Sequence, residues 1–215
     1  MTDPGNQLAW IEKVLFDAQQ AKEKVIVLGH IPPGINDRDA FPLTLPSFTS
    51  KFQTIVNRYS EVIVGQLYGH THQDSFKIFR DGDKPTSVAY TTPSATAWTD
   101  QNPSVRLYKY DKTTFQLLDM LTFYSNLTQA NIEGKMTWQL EYSATEAYGM
   151  KDLSPAEWDN VLQRMKTDKS VWLKFESYFK VLNEIACPSG EDFCKKRQLC
   201  AISHQNYSDY VKCNA

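Results

Sequence analysis

Two short runs of branched apolar residues, each followed by glycine and histidine, constrain this chain more than any other feature. Val25-Ile26-Val27-Leu28 leads into Gly29-His30, and Val62-Ile63-Val64 is followed by Gly69-His70-Thr71-His72. A continuous run of this kind reads as a strand buried on both faces of a parallel sheet. Open α/β sheets place their ligand sites just beyond the C-terminal ends of such strands. Three of the chain's four histidines fall there. Side chains two apart in an extended segment point the same way, so His70 and His72 are expected to face one site. The glycines before His30 and His70 are expected to let the backbone turn sharply after each strand. A lone histidine here would read as a strand-end cap. The repeated pattern points instead to a metal centre, since neutral imidazole suits zinc and other first-row divalent metals.

The rest of the chain supplies the frame. Asp3-Pro4 starts a helix, and Leu8, Ile11, Leu15 and Ala18 recur at helical spacing, which predicts a helix over residues 6–23. Phe48, Phe52, Ile55 and Tyr59 predict a second helix between the two strands. Helix, strand, helix, strand in this order is a layered α/β fold. Residues 75–79 and 87–91 flank Asp81-Gly82-Asp83-Lys84, a hairpin by turn chemistry. Gly82-Asp83 is therefore a hairpin tip, not a catalytic pair. Residues 105–110 and 115–123 predict a second hairpin around Asp111-Lys112-Thr113-Thr114. Ser154-Pro155-Ala156-Glu157 is a capping box, followed by Val171, Phe175, Phe179 and Leu182 at helical spacing. The organisation read from this is a main domain over residues 1–150 and a helical, Cys-rich subdomain over residues 151–215.

Charge and cysteine use narrow the function classes. A formal charge of −2 argues against a nucleic-acid polymer as partner, because phosphate-backbone binding leans on clustered Lys and Arg. The Lys195-Lys196-Arg197 cluster reads as a solvated helix face. No apolar run approaches the roughly 20 residues that span a bilayer. Peripheral membrane contact through the aromatic tail stays open as a reading. Cys187, Cys194, Cys200 and Cys213 all lie in the tail, as in a disulfide-stapled subdomain. Asn126-Leu127-Thr128 and Asn206-Tyr207-Ser208 are glycosylation sequons at Asn126 and Asn206. These features predict a secreted or lysosomal protein. The segment beginning Met1-Thr2-Asp3-Pro4-Gly5 has no signal-peptide pattern, so an upstream portion is expected.

Gly29-His30-Ile31-Pro32-Pro33-Gly34 and Tyr68-Gly69-His70-Thr71-His72-Gln73-Asp74-Ser75-Phe76 resemble the last two motifs of the calcineurin-like metallophosphoesterases, in their acid sphingomyelinase branch. Asn102-Pro103, Arg106-Leu107-Tyr108-Lys109-Tyr110-Asp111, Leu117-Leu118-Asp119-Met120 and Tyr124-Ser125-Asn126-Leu127-Thr128-Gln129-Ala130-Asn131 extend the likeness. Trp138-Gln139-Leu140-Glu141-Tyr142 and Glu146-Ala147-Tyr148-Gly149 are similar to the sphingomyelinase-like phosphodiesterases 3A and 3B in particular. The resemblance implies the C-terminal half of a layered β-sandwich flanked by helices, with a helical, disulfide-bonded tail. It implies a zinc-dependent hydrolase of phosphodiesters, such as sphingomyelin or nucleotide and phosphocholine-type substrates. Two zinc ions would activate a hydroxide that attacks phosphorus.

By the same resemblance His30 and His70 bind one metal and His72 the other, and the cysteines pair as Cys187–Cys194 and Cys200–Cys213. The family's earlier motifs, Asp-x-His, Gly-Asp in a ligand setting and Gly-Asn-His, have no counterpart here. The chain therefore contains no expected catalytic acid of its own. Three histidines do not fill two roughly four-coordinate shells, which sets the competing reading: a catalytically incomplete fragment or isoform. Asp37, Asp39 and Asp74 are close in sequence, but nothing in their spacing makes them substitutes. Asp74 is expected either to orient the turn or an imidazole or to be a solvated loop acid. Tyr68 and Trp98 are groove or core residues, and His204 is structural.

Overall fold

The structure, a computed structural model, describes residues 3–183 and 192–215. After a 3-10 turn (Pro4–Asn6), helix α1 (Gln7–Ala21) buries Leu8, Leu15 and Ala18. Asp3 accepts the Ala9 N–H at 3.0 Å and so occupies a free donor of the first turn. Strand β1 (Val25–Leu28) follows, then α2 (Pro46–Arg58), whose proline lies in its first turn. Strands β2 (Ile63–Tyr68), β3 (Ser75–Asp81) and β4 (Lys84–Thr91) complete a sheet of order β1-β2-β4-β3. β1, β2 and β4 run parallel, and β3 pairs antiparallel with β4 across the expected hairpin. Helices α1 and α2 cover one face, with Leu15, Phe52, Val56, Ile63 and Phe79 in a common core.

The second sheet is antiparallel: β5 (Ser104–Tyr110), β6 (Leu117–Tyr124) and β7 (Gln139–Ser143). Helix α3 (Leu127–Glu133) lies between β6 and β7, capped where Asn126 accepts the Gln129 N–H. The two sheets meet closely enough that a Cβ on Gly65 of β2 would come 2.6 Å from Leu117 of β6. Helices α4 (Ala144–Tyr148), α5 (Pro155–Thr167), α6 (Lys169–Phe179), α7 (Asp192–Ser203) and α8 (Tyr207–Asn214) finish the chain. One apolar core joins Phe76 and Tyr90 of the first sheet, Met120 and Tyr142 of the second, and Trp158, Phe175 and Ile202 of the helices. It runs without a break across residue 150. The Trp158 indole donates to the Tyr90 hydroxyl at 3.0 Å, which donates to the Leu153 carbonyl, so the buried polar tips are satisfied.

Two local expectations change. β1 is not buried on both faces: Ile26 and Leu28 are exposed, Leu28 at 75%. Among the described residues it is the outer strand of its sheet, with Val25 and Val27 packed against the α1–α2 core. A run of four branched residues cannot distinguish a central strand from an edge. Ser154 precedes α5 but makes no side-chain cap. Glu157 reaches back to the Lys151 N–H instead, and the Ser154 N–H donates to Asp152.

Cys200 and Cys213 are bonded, tying α7 to α8. A loop of this size is worth about 3 kcal/mol in the chain-entropy account. Cys187, and with it the Cys187–Cys194 pair, lies outside the described residues. The staple packs with Ile35, Ala201 and Tyr210, so the tail rests on the loop that follows His30. Among the described residues no helix is long and apolar enough to cross a membrane.

Candidate metal centre

His30 and His70 stand two residues beyond β1 and β2. Those strands pair in parallel, so their C-terminal ends lie side by side and bring the two imidazoles together. The rings meet edge to face with centroids 5.1 Å apart, and His70 Nδ1 lies 3.3 Å from His30 Nε2. The ladder continues into the turn: Gly29 donates to Leu67 O, and Gly69 donates to His30 O at 3.0 Å. Both histidines are exposed to solvent.

The turn itself is not extended. His70 has φ 71° and His72 has φ 63°. A left-handed conformation costs a residue with a Cβ roughly 1–2 kcal/mol, and such strain is characteristic of functional sites. The two-residue alternation is therefore lost. His72 Nδ1 lies 3.3 Å from the Trp98 carbonyl oxygen, while Gln101 donates to the His72 carbonyl. Nor do the glycines take the strain expected of them, because neither Gly29 nor Gly69 has a positive φ. Gly29 is required by close approach: a Cβ there would lie 2.6 Å from the Tyr68 ring.

Tyr68 is a packing residue. It is buried, its hydroxyl donates to Gln66, and burial raises its pKa. Trp98 is the opposite, 75% exposed beside His72. Its loop includes Thr99 at φ 81° and Asp100 at φ 57°, two further left-handed residues. His204 is half-buried in the tail, where desolvation lowers its pKa. It lines a cleft of about 1240 Å³ with Arg80, Lys166 and Asp209, away from the three strand-end histidines.

The nearby acids are committed elsewhere. Asp74 does not touch an imidazole: its carboxylate accepts from Arg106 and from the Tyr142 hydroxyl. The side chain of Arg106 has no exposure and that of Asp74 has 5%. Burial pushes the Asp74 carboxyl above its ordinary value, and the Arg106 guanidinium opposes that push. Asp37 is held by Lys77 and Ser75, and Asp39 sits on the surface beside Arg38. Arg106 and Lys77 escaped the sequence reading, although each alternates with apolar neighbours along a strand. In β5 the apolar Val105 and Leu107 face out, and Arg106 faces in.

Two nitrogens bound to one zinc at about 2.0–2.1 Å with tetrahedral angles lie roughly 3.3–3.4 Å apart. The His30–His70 pair matches that separation, so these residues fit as two ligands of a single ion. They do not form a complete shell. Among the described residues, no group of three or more His, Cys, Asp and Glu converges on a point.

Residues 86–215 match the family described as the acid sphingomyelin phosphodiesterase C-terminal region. The chain belongs to the acid sphingomyelin phosphodiesterase family. It is 34% identical to human acid sphingomyelinase-like phosphodiesterase 3b and 38% identical to the cyclic GMP-AMP phosphodiesterase SMPDL3A of Rattus norvegicus. In both cases 99% of this chain and 49% of the relative are covered. It is 36% identical to sphingomyelinase phosphodiesterase C of Dictyostelium discoideum, over 99% of this chain and 50% of that protein. The chain thus spans about half the length of the curated relatives it matches. Within the sphingomyelin phosphodiesterase family it corresponds to the C-terminal half, carrying the strand-end histidines and the disulfide-bonded tail.

Proposed function

We propose that this chain supplies the histidine half of a zinc-dependent phosphodiesterase centre, with His30 and His70 on one ion and His72 toward a second. The supporting observation is the 3.3 Å approach of His30 Nε2 and His70 Nδ1 on adjacent parallel strand ends. Zinc bound there would supply Lewis acidity and a water of lowered pKa. The chain's own part is to hold the two imidazoles at ligand spacing and to present the exposed Trp98 indole beside His72 as a groove wall. The substrate class is a phosphodiester of a small molecule or lipid headgroup, as the relatives' names support. The absence of a third converging ligand among the described residues favours a specific second reading: alone, the chain binds one zinc and hydrolyses nothing.

Zinc titration calorimetry on the 215-residue chain separates these readings. One weak site is expected, weakened at least tenfold in His30→Ala and in His70→Ala and little changed in His72→Ala. Equal affinity in all variants would reject the ligand assignment. Turnover of bis-p-nitrophenyl phosphate at acid pH by the isolated chain would reject its incompleteness.

The secreted or lysosomal setting belongs to the same proposal and draws on the Cys200–Cys213 bond. The sequons differ in support. Asn126 is exposed, with Oδ1 engaged in the α3 cap. Asn206 is half-buried, and its Nδ2 donates to Gln53 at 2.8 Å. Expression through a secretory pathway is expected to give an endoglycosidase-sensitive mass shift that Asn126→Gln removes and Asn206→Gln leaves. The reverse pattern would contradict it.

A further inference from the structure

Lys77 lies in the middle of β3, and its side chain has no exposure at all. A lysine is almost never fully buried unless it is paired, and here the pairing is directed. The ammonium donates to the Ile35 carbonyl and to Asp37 Oδ1, while the Ser75 hydroxyl donates to Asp37 Oδ2. All three bonds run from β3 to the loop that begins at His30. That loop is stiff between the histidine and its anchor. Pro32 and Pro33 fix two of the intervening φ angles. Gly34, at φ 93°, packs against the backbone and side chain of Gln205 so closely that a side chain has no room. Beyond the anchor the loop closes on itself, with Asn36 donating to Phe41 O and Leu43 donating to Gly34 O, around an Ile35–Pro42 bridge. Residues 32–37 are buried throughout, yet His30 is exposed, with its ring against that of His70.

We infer that Lys77, through Asp37 and Ile35, is a positioning residue for His30. The β3 ammonium fixes the far end of a short, proline-stiffened lever whose near end carries the imidazole. A buried ion pair is weak evidence for stability, and in some proteins it instead specifies one arrangement among several. Here the arrangement specified is the place of the loop against β3, and hence the approach of His30 to His70. On the other side of the histidine turn the fold repeats the device, with Arg106 holding Asp74 two residues after His72. The inference rests on the reading of His30 as a ligand, but its geometry is testable without metal.

The test uses the full chain with labelled histidine rings, read by heteronuclear NMR, together with zinc affinity by competition. Lys77→Met and Asp37→Asn are expected to move the His30 ring signals while the His204 signals stay. Both are expected to weaken zinc binding tenfold or more. Val88→Ala, a core truncation on the neighbouring strand chosen to lower stability without touching the loop, is expected to leave the His30 signals and the affinity unchanged. If Lys77→Met fails to fold, Asp37→Asn and Ser75→Ala carry the test. Wild-type His30 signals and affinity in the folded variants would overturn the inference, as would the same changes in Val88→Ala. A wild-type chain that binds no zinc, with His30 signals still displaced in the variants, would remove the metal reading and keep the positioning.

Discussion

Arg106→Met is expected to lower the unfolding free energy by about 3–5 kcal/mol, because it leaves the Asp74 carboxylate buried without its cation. Asp74 has Tyr142 as its other donor, and one phenol hydroxyl does not replace a guanidinium. Arg106 itself also donates to Thr122 and to the Tyr142 hydroxyl, so its removal opens a polar network between the turn before β3 and strands β5, β6 and β7. The same rule predicts that a double variant, Asp74→Leu with Arg106→Met, recovers much of the loss, since a buried pair replaced by apolar groups is often neutral. Urea denaturation read as a shift in midpoint at constant slope measures both. A single variant within about 1 kcal/mol of wild type would show that the pair is not the buried contact described.

The second large effect is a dependence on pH. Glu141, on β7, has both carboxyl oxygens buried without a hydrogen-bond partner. Burial pushes its pKa up to about 9, Asp74 adds to the push and Arg106 opposes it. The unfolded chain would release this proton near the ordinary glutamate value of 4.5. Between those values the folded state holds a proton that the unfolded state has lost. The contribution of Glu141 is thus undiminished below about pH 4.5, falls as pH rises toward 9, and is flat above. The slope is at most about 1.4 kcal/mol per pH unit. Partial access to water and local relaxation reduce the total, and Glu141→Leu is expected to be more stable than wild type by about 2 kcal/mol at pH 8. Near pH 4 the two should differ little. Parallel stability-versus-pH curves for the two proteins would rule out a protonated Glu141.

The sequence carried the local chemistry of this fold well and its long-range pairing poorly. Asp81-Gly82-Asp83-Lys84 specifies a hairpin through its own turn preferences, and β3 and β4 pair across it. The positions of His30 and His70 followed from the ends of two branched runs, because strand ends are set by neighbouring residues. What the sequence could not show is which strand lies outermost. Leu28 and Leu67 sit opposite each other in the ladder, yet Leu28 is open to water and Leu67 packs on the core. That difference depends on strands far away in the chain. The roles of Arg106, Lys77 and Glu141 were hidden for the same reason, since a charged residue in a strand looks solvent-facing until its partner is known. The His70–His72 turn was misjudged differently: the template assumes an extended segment, whereas both residues have a left-handed backbone.

That left-handed turn sets two demands on the same positions. Backbone comfort at φ 71° and φ 63° favours glycine, whereas the proposed metal centre asks for imidazole. Variants chosen only for solubility or resistance to heat would therefore drift away from His70 and His72 and improve as they did so. Under the proposed metal role, selection on the site itself is what would keep histidine at these two positions against that backbone preference.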